Sequence, residues 1–136
     1  FGSKCYVWEG YGHYMKIQES AENYLETILV LKKKNGVVRS IDIAQELSVT
    51  KPSVSVAMKN LRTNGYILVD DLGYITLTDK GKEIADKIYE RHTLLTGWLT
   101  SLGVDPEIAA EDACRIEHVI SPESFSAIKK HVAHKK

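Results

Sequence analysis

The stretch Ser40–Leu77, SIDIAQELSVTKPSVSVAMKNLRTNGYILVDDLGYITL, decides the fold. Ser40 is a helix-capping residue type, and Ile43, Ala44 and Leu47 fall on one face of a short helix over 41–47. Ser48-Val49-Thr50 turns the chain. A second helix follows, with Thr50 or Lys51 at its cap, Pro52 in the first turn where a missing N–H does no harm, and Val54, Met58 and Leu61 facing inward. Gly65 ends that helix. Residues 66–69, Asp70-Asp71-Leu72-Gly73 and residues 74–77 then read as strand, turn and strand. Two short helices joined by a tight turn make a helix-turn-helix, and a hairpin directly after it makes a wing. The combination is that of a winged-helix DNA-binding domain.

Upstream, Tyr24, Leu25, Ile28, Leu29 and Leu31 keep a helical period from a cap at Ser20 to about Lys34, and Asn35-Gly36 stops it. Asn23 and Glu26, three apart, share one side of that helix. Residues 1–14, FGSKCYVWEGYGHY, have no helical or strand period and precede a Met, so they are read as a leader, either added ahead of the native start or disordered. Nothing fixes the geometry of Cys5 and His13, and they are not taken as metal ligands.

Downstream, Thr78 caps a helix that begins at Asp79 and keeps an apolar period through Ile84, Ile88, Leu95, Leu99 and Leu102 to Gly103. Its roughly 24 residues span about 36 Å, a length that commonly links a small domain to a dimer interface. Asp105-Pro106 starts another helix to about Val119. Ser121-Pro122 starts a last one to about Val132, with Phe125, Ile128 and Val132 apolar, and His131 and His134 are read as a solvated tail.

With 136 residues, 43% hydrophobic and 26% charged, the chain has room for one domain or two small ones of ordinary soluble composition. There is no signal peptide, no 18-residue apolar span and no framework spacing between Cys5 and Cys114, so we expect a cytoplasmic protein with reduced thiols and no membrane partner. The zero net charge conceals a segregation. From Lys32 to Arg62 there are seven basic residues against two acidic ones, whereas from Asp79 to Glu123 there are five basic against ten acidic. The middle of the chain suits a polyanion and the C-terminal part a cation.

Within the acidic part, Cys114, Glu117 and His118 stand at i, i+3 and i+4 of the helix over 106–119, so one face carries a thiol, a carboxylate and an imidazole. These are transition-metal ligand types. The same pattern also arises from a small core cysteine beside a half-solvated Glu-His pair, and a lone His92 on the long helix is as readily a packed side chain.

Three segments in order resemble the iron- and manganese-dependent repressors of the diphtheria toxin repressor and manganese transport regulator family: residues 21–28 (AENYLETI), the helix-turn-helix with its wing, and residues 111–119 (EDACRIEHV). The resemblance covers residues 20 to about 132. It implies metal ligands at Glu26, His92, Cys114, Glu117 and His118, with Asn23 as a possible sixth. Cys114 follows the iron-type branch and Glu26 the manganese-type branch. Asn23 departs from both, since its position is usually Met or Asp. Thr96 and Ala110 stand where iron-type members place a Glu and a His of an ancillary site, which this chain is expected to lack, and the sequence stops short of an SH3-like third domain. On the recognition helix, Thr50, Pro52, Ser53 and Ser55 fit the family pattern, while Val56 replaces a frequent Gln. A valine can touch a thymine methyl and cannot make a bidentate bond to adenine, so a different operator is expected. Arg39, Lys51, Lys59 and Arg62 are phosphate-contact candidates.

The expected architecture is mainly α with a small β wing: a leader over 1–14, a winged helix-turn-helix over 15–78 and an α-helical dimerisation and metal-binding domain over 79–136. The expected function is metal-activated repression of transcription by a homodimer on a palindromic double-stranded DNA operator. Mn2+ or Fe2+ is the expected activator, with Co2+, Zn2+, Ni2+ or Cd2+ binding in vitro. No enzymatic activity and no organic substrate are expected. The competing readings are a winged-helix regulator sensing oxidants through Cys114 and a small metalloenzyme.

Overall fold

The structure, a computed structural model, describes residues 17–134. The expectations placed on residues 1–14, Cys5 and His13 included, fall outside them. Among the described residues, six helices and one hairpin follow in the order α1 Ile17–Asn35, α2 Ser40–Leu47, α3 Lys51–Thr63, β1 Ile67–Val69, β2 Ile75–Leu77, α4 Asp79–Ser101, α5 Pro106–Val119 and α6 Pro122–His134. The chain divides into two compact units, and the division falls inside α4, between Lys87 and Ile88.

In the first unit, α1 already includes Ser20, so this serine lies within the helix rather than at its cap. The helix stops where expected: Gly36 takes a φ of 84° and its N–H donates to the Lys32 carbonyl at 2.8 Å. At the start of α2 the cap is Arg39 rather than Ser40, because the Asp42 carboxylate reaches back to accept from the Arg39 N–H at 2.9 Å. Ser48, at a φ of 54°, makes the left-handed bend between α2 and α3. Thr50 Oγ1 then caps α3 by accepting from the Ser53 N–H at 3.3 Å.

β1 and β2 pair antiparallel with Ile67 opposite Leu77, Leu68 opposite Thr76 and Val69 opposite Ile75. Asp70 Oδ1 accepts from the N–H groups of Leu72 and Tyr74, both at 2.9 Å, and so folds the tip of the hairpin. The other edge of β2 is tied to the segment before α2, since the Ile75 N–H donates to the Val38 carbonyl at 2.8 Å. Ile67 and Ile75 point to the same interior as Val38, Ile43, Leu47, Val54, Met58 and Leu61, all buried. Each such side chain contributes about 1.5–3 kcal/mol by leaving water.

The hairpin is anchored to α4 through Thr78, whose N–H donates to the Tyr66 carbonyl and whose Oγ1 donates to the Gly65 carbonyl while accepting from the Gly81 N–H. Gly81 is required here, since a Cβ at this position would stand 2.1 Å from the Tyr66 carbonyl oxygen.

In the second unit, α4 ends at Ser101 before Gly103, at a φ of 102°. Leu102 lies beyond the helix and is 56% exposed, against the inward position its spacing predicted, because the helical period has already ended there. Asp105 caps α5 by accepting from the Glu107 N–H, with Pro106 in the first turn. Ile88, Leu95, Ala109, Ala113 and Phe125 are buried. No helix among the described residues is long and apolar enough to cross a membrane.

Candidate metal centre and nucleic-acid interface

The second unit buries more than an apolar core. On α4, two consecutive side chains, Arg91 and His92, are each only 6% exposed, and on α5 Cys114 and Glu117 are fully buried. The helical period of α5 places Cys114, Glu117 and His118 on the face turned towards α4. His92 Nδ1 and Glu117 Oε2 are 3.0 Å apart, and Cys114 Sγ is 3.6 Å from the same nitrogen. The second oxygen of Glu117, Oε1, is 3.4 Å from His118 Nε2. One buried carboxylate therefore stands between two imidazoles. A nitrogen, a sulfur and an oxygen from His92, Cys114 and Glu117 all lie within 4.8 Å of one another.

A buried carboxylate is unfavourable by several kcal/mol unless its charge is compensated. A divalent ion supplies that compensation, and the mixed N, S and O donor set is that of a borderline transition metal. The residues present thus fit the metal that their types imply. Ligation through Cys114 needs the thiolate, and hence the reduced form.

The remaining two expected ligands stand on α1, in the first unit. Asn23 is 4% exposed and Glu26 is fully buried, so neither has the solvated position usual for its type. Asn23 Oδ1 has no hydrogen-bond partner among the described residues, while Thr27 Oγ1 donates to the Asn23 backbone carbonyl at 2.8 Å. A buried amide oxygen left in this condition is costly, and a cation would satisfy it.

The surface expected to meet DNA is opposite in character. Thr50, Lys51, Pro52, Ser53, Ser55, Val56, Lys59 and Arg62 are all exposed along α3 and its cap. Val56 is 61% exposed although it is apolar and on a helix with a well-filled inner face. Arg39 is exposed at the cap of α2, and its guanidinium lies 4.5 Å from the centroid of the Tyr74 ring on the wing. Two contributors escape the sequence: Tyr74, which holds Arg39, and Arg91, which holds α5. An arginine next to a candidate ligand carries no signal until the helix it binds is in place.

Comparison with known proteins agrees with both halves of this description. Residues 16–71 match the model of the iron dependent repressor N-terminal DNA binding domain, and residues 78–136 that of the iron dependent repressor metal binding and dimerisation domain. The chain is 36% identical over 112 residues to the transcriptional regulator MntR of Escherichia coli O6:H1, covering 82% of this chain and 72% of that protein. It is 36% identical over 109 residues to the HTH-type transcriptional regulator MntR of Lysinibacillus sphaericus, covering 80% and 78% respectively. Among solved structures, the manganese regulator SloR aligns over 83% of this chain with a TM-score of 0.74 and 28% identity. A manganese-dependent transcriptional repressor in complex with manganese aligns over 82% with a TM-score of 0.68 and 25% identity. This chain spans about half the length of those two solved chains, 53% and 51%. The chain belongs to the iron-dependent repressor family of transcriptional regulators, with an N-terminal DNA-binding domain followed by a metal-binding and dimerisation domain.

Proposed function

We propose that this chain is a metal-activated repressor of metal homeostasis genes, working in the cytoplasm as a homodimer on a palindromic operator and catalysing no reaction. The observation that carries the reading is the buried His92–Cys114–Glu117 cluster in a chain that also exposes a basic recognition helix. Residues 15–78 would read DNA and residues 79–136 would dimerise and hold the ion. The ligands would be Glu26, His92, Cys114, Glu117 and His118, with the Asn23 amide oxygen as a sixth. When bound, a divalent ion supplies the positive charge that lets these carboxylates coexist. Cys114 favours softer ions, whereas Glu26 and Asn23 favour harder ones, so manganese or iron(II) is selected by availability as much as by affinity. Solved relatives include forms bound to manganese, zinc and cadmium, which supports a site for divalent ions.

Control follows from where the ligands are carried. Glu26 and Asn23 belong to the DNA-binding half and the others to the dimerising half, so a shared ligand set ties the spacing of two recognition helices to occupancy of the site. Half-sites about 34 Å apart, or a multiple of that, are the corresponding target. By linkage, operator DNA raises metal affinity by the same factor that metal raises DNA affinity. Moving a 1:99 population to 99:1 takes about 5.5 kcal/mol of differential binding. On the operator, Thr50, Pro52, Ser53, Ser55 and Val56 would face bases, with Val56 against a thymine methyl, and Arg39, Lys51, Lys59 and Arg62 would face phosphates.

The test is operator binding by the reduced protein titrated with manganese, iron(II), cobalt and zinc. Affinity that rises with at least one of these ions is expected. Binding indifferent to all four overturns the reading. Binding that responds to peroxide instead favours an oxidant sensor acting through Cys114.

A further inference from the structure

Arg91 is a buried cation that the proposed ligand set does not use. Its Nη1 donates to two backbone carbonyls at the end of α5, those of Glu117 and Ile120, each at 3.0 Å. Its guanidinium also lies 5.5 Å from the centroid of the Phe125 ring on α6. Two consecutive residues of α4 therefore grip one residue of α5 from opposite ends. His92 meets the Glu117 carboxylate and Arg91 meets the Glu117 carbonyl. We propose that Arg91 is a positioning residue for the metal centre, fixing the last turn of α5 so that Glu117 and His118 are already presented to His92 before an ion arrives.

The end of α5 explains why such a residue is needed. The last carbonyls of any helix lack partners within it. The chain leaves α1 through Gly36 and α3 through Gly65, both at positive φ. At α5 the cap is Ile120, in an extended conformation at φ −73° and ψ 138°, and no glycine closes the turn. Arg91 takes over that role from outside the helix. A cation at a helix C-terminus also complements the helix dipole. Because the same helix end carries two proposed ligands, whatever orders it removes an ordering cost from metal binding. A lysine would bring charge and donors, but its flexible stem and compact head would not reproduce the planar group beside Phe125.

This inference rests on the metal reading of the same cluster, and the experiment separates the two. The reduced full chain is titrated with cobalt(II), following ligand-field absorption and the fluorescence of the α4 residue Trp98, and the thermal midpoint of the metal-free protein is recorded alongside. Arg91→Met is expected to weaken cobalt affinity about 10-fold or more and to alter the absorption spectrum. Arg91→Lys is expected to recover part of the affinity with a spectrum still perturbed. Wild-type affinity and spectrum in Arg91→Met, whatever its melting temperature, reduce Arg91 to a structural helix cap and overturn the proposal. If Arg91→Met does not fold, Arg91→Lys decides, since an unchanged affinity and spectrum there overturn it equally. A wild-type chain that binds none of cobalt, manganese, iron(II) and zinc removes the metal reading itself, and the positioning role with it.

Discussion

From Val38 to Ile75 in the first unit, every buried side chain is apolar. In the second unit, from Ile88 to Phe125, the buried set includes Arg91, His92 and Glu117 beside Ile88, Leu95 and three small residues. The helix-turn-helix keeps its core dry and presents its charges to solvent, where a polyanion can meet them. The helical unit does the reverse and places its chemistry inside, where water cannot compete with a ligand. The two halves thus fail in different ways. Loss of a surface charge weakens one contact, whereas loss of a buried partner leaves a charge stranded.

The largest effect is expected in the buried cluster. Glu117→Ala or His118→Ala should abolish metal-dependent operator binding while circular dichroism and sedimentation still show a folded dimer. Unchanged metal dependence would remove both residues from the site. Next comes the close approach that seats the wing on α4. Gly81→Ala forces a methyl group into the Tyr66 carbonyl and should destabilise the chain by about 1–3 kcal/mol in denaturant unfolding. A wild-type midpoint would mean that the hairpin is not held there.

Smaller shifts belong to the exposed surface. If α3 meets phosphates, log affinity should fall steeply with log salt, and Lys51→Ala should lower that slope by about 1 while weakening all operator variants alike. A flat salt dependence would contradict a phosphate-facing α3. Smallest of all is the bend at Ser48, where a non-glycine residue sits at a φ of 54°. Ser48→Gly should relieve about 1 kcal/mol of backbone strain and raise the thermal midpoint without changing DNA or metal affinity. A lower midpoint would show that Ser48 is not strained.

Most of the fold was legible because its punctuation is local. Gly36, Gly65 and Gly103, the Thr50 and Asp105 caps, and Pro52 and Pro106 in first turns each act within a few residues of where they stand. The errors come from the same locality. Ser20 has the chemistry of a cap, but nothing in a serine says that the helix began earlier. Ser40 loses the cap to Arg39 because the Asp42 side chain satisfies the Arg39 N–H. The spacing that includes Leu102 continues past the residue where the helix stops. For the candidate metal centre, Cys114, Glu117 and His118 are visible as one helical face, and the family resemblance supplied His92 across a long separation. Arg91 could not be found this way, since its partners are main-chain carbonyls that belong to no side-chain motif.

If Arg39 meets a phosphate as proposed, its stacking on Tyr74 bears on how fast and how firmly the winged half would settle on a phosphate chain. A free arginine samples many rotamers, and freezing a side chain of this kind on contact costs about 0.5–1.5 kcal/mol. Here the ring has already confined the guanidinium, while leaving its edge donors open to an incoming oxygen. Tyr74 would then strengthen the contact made by Arg39, by spending in the free protein the disorder that binding would otherwise have to remove.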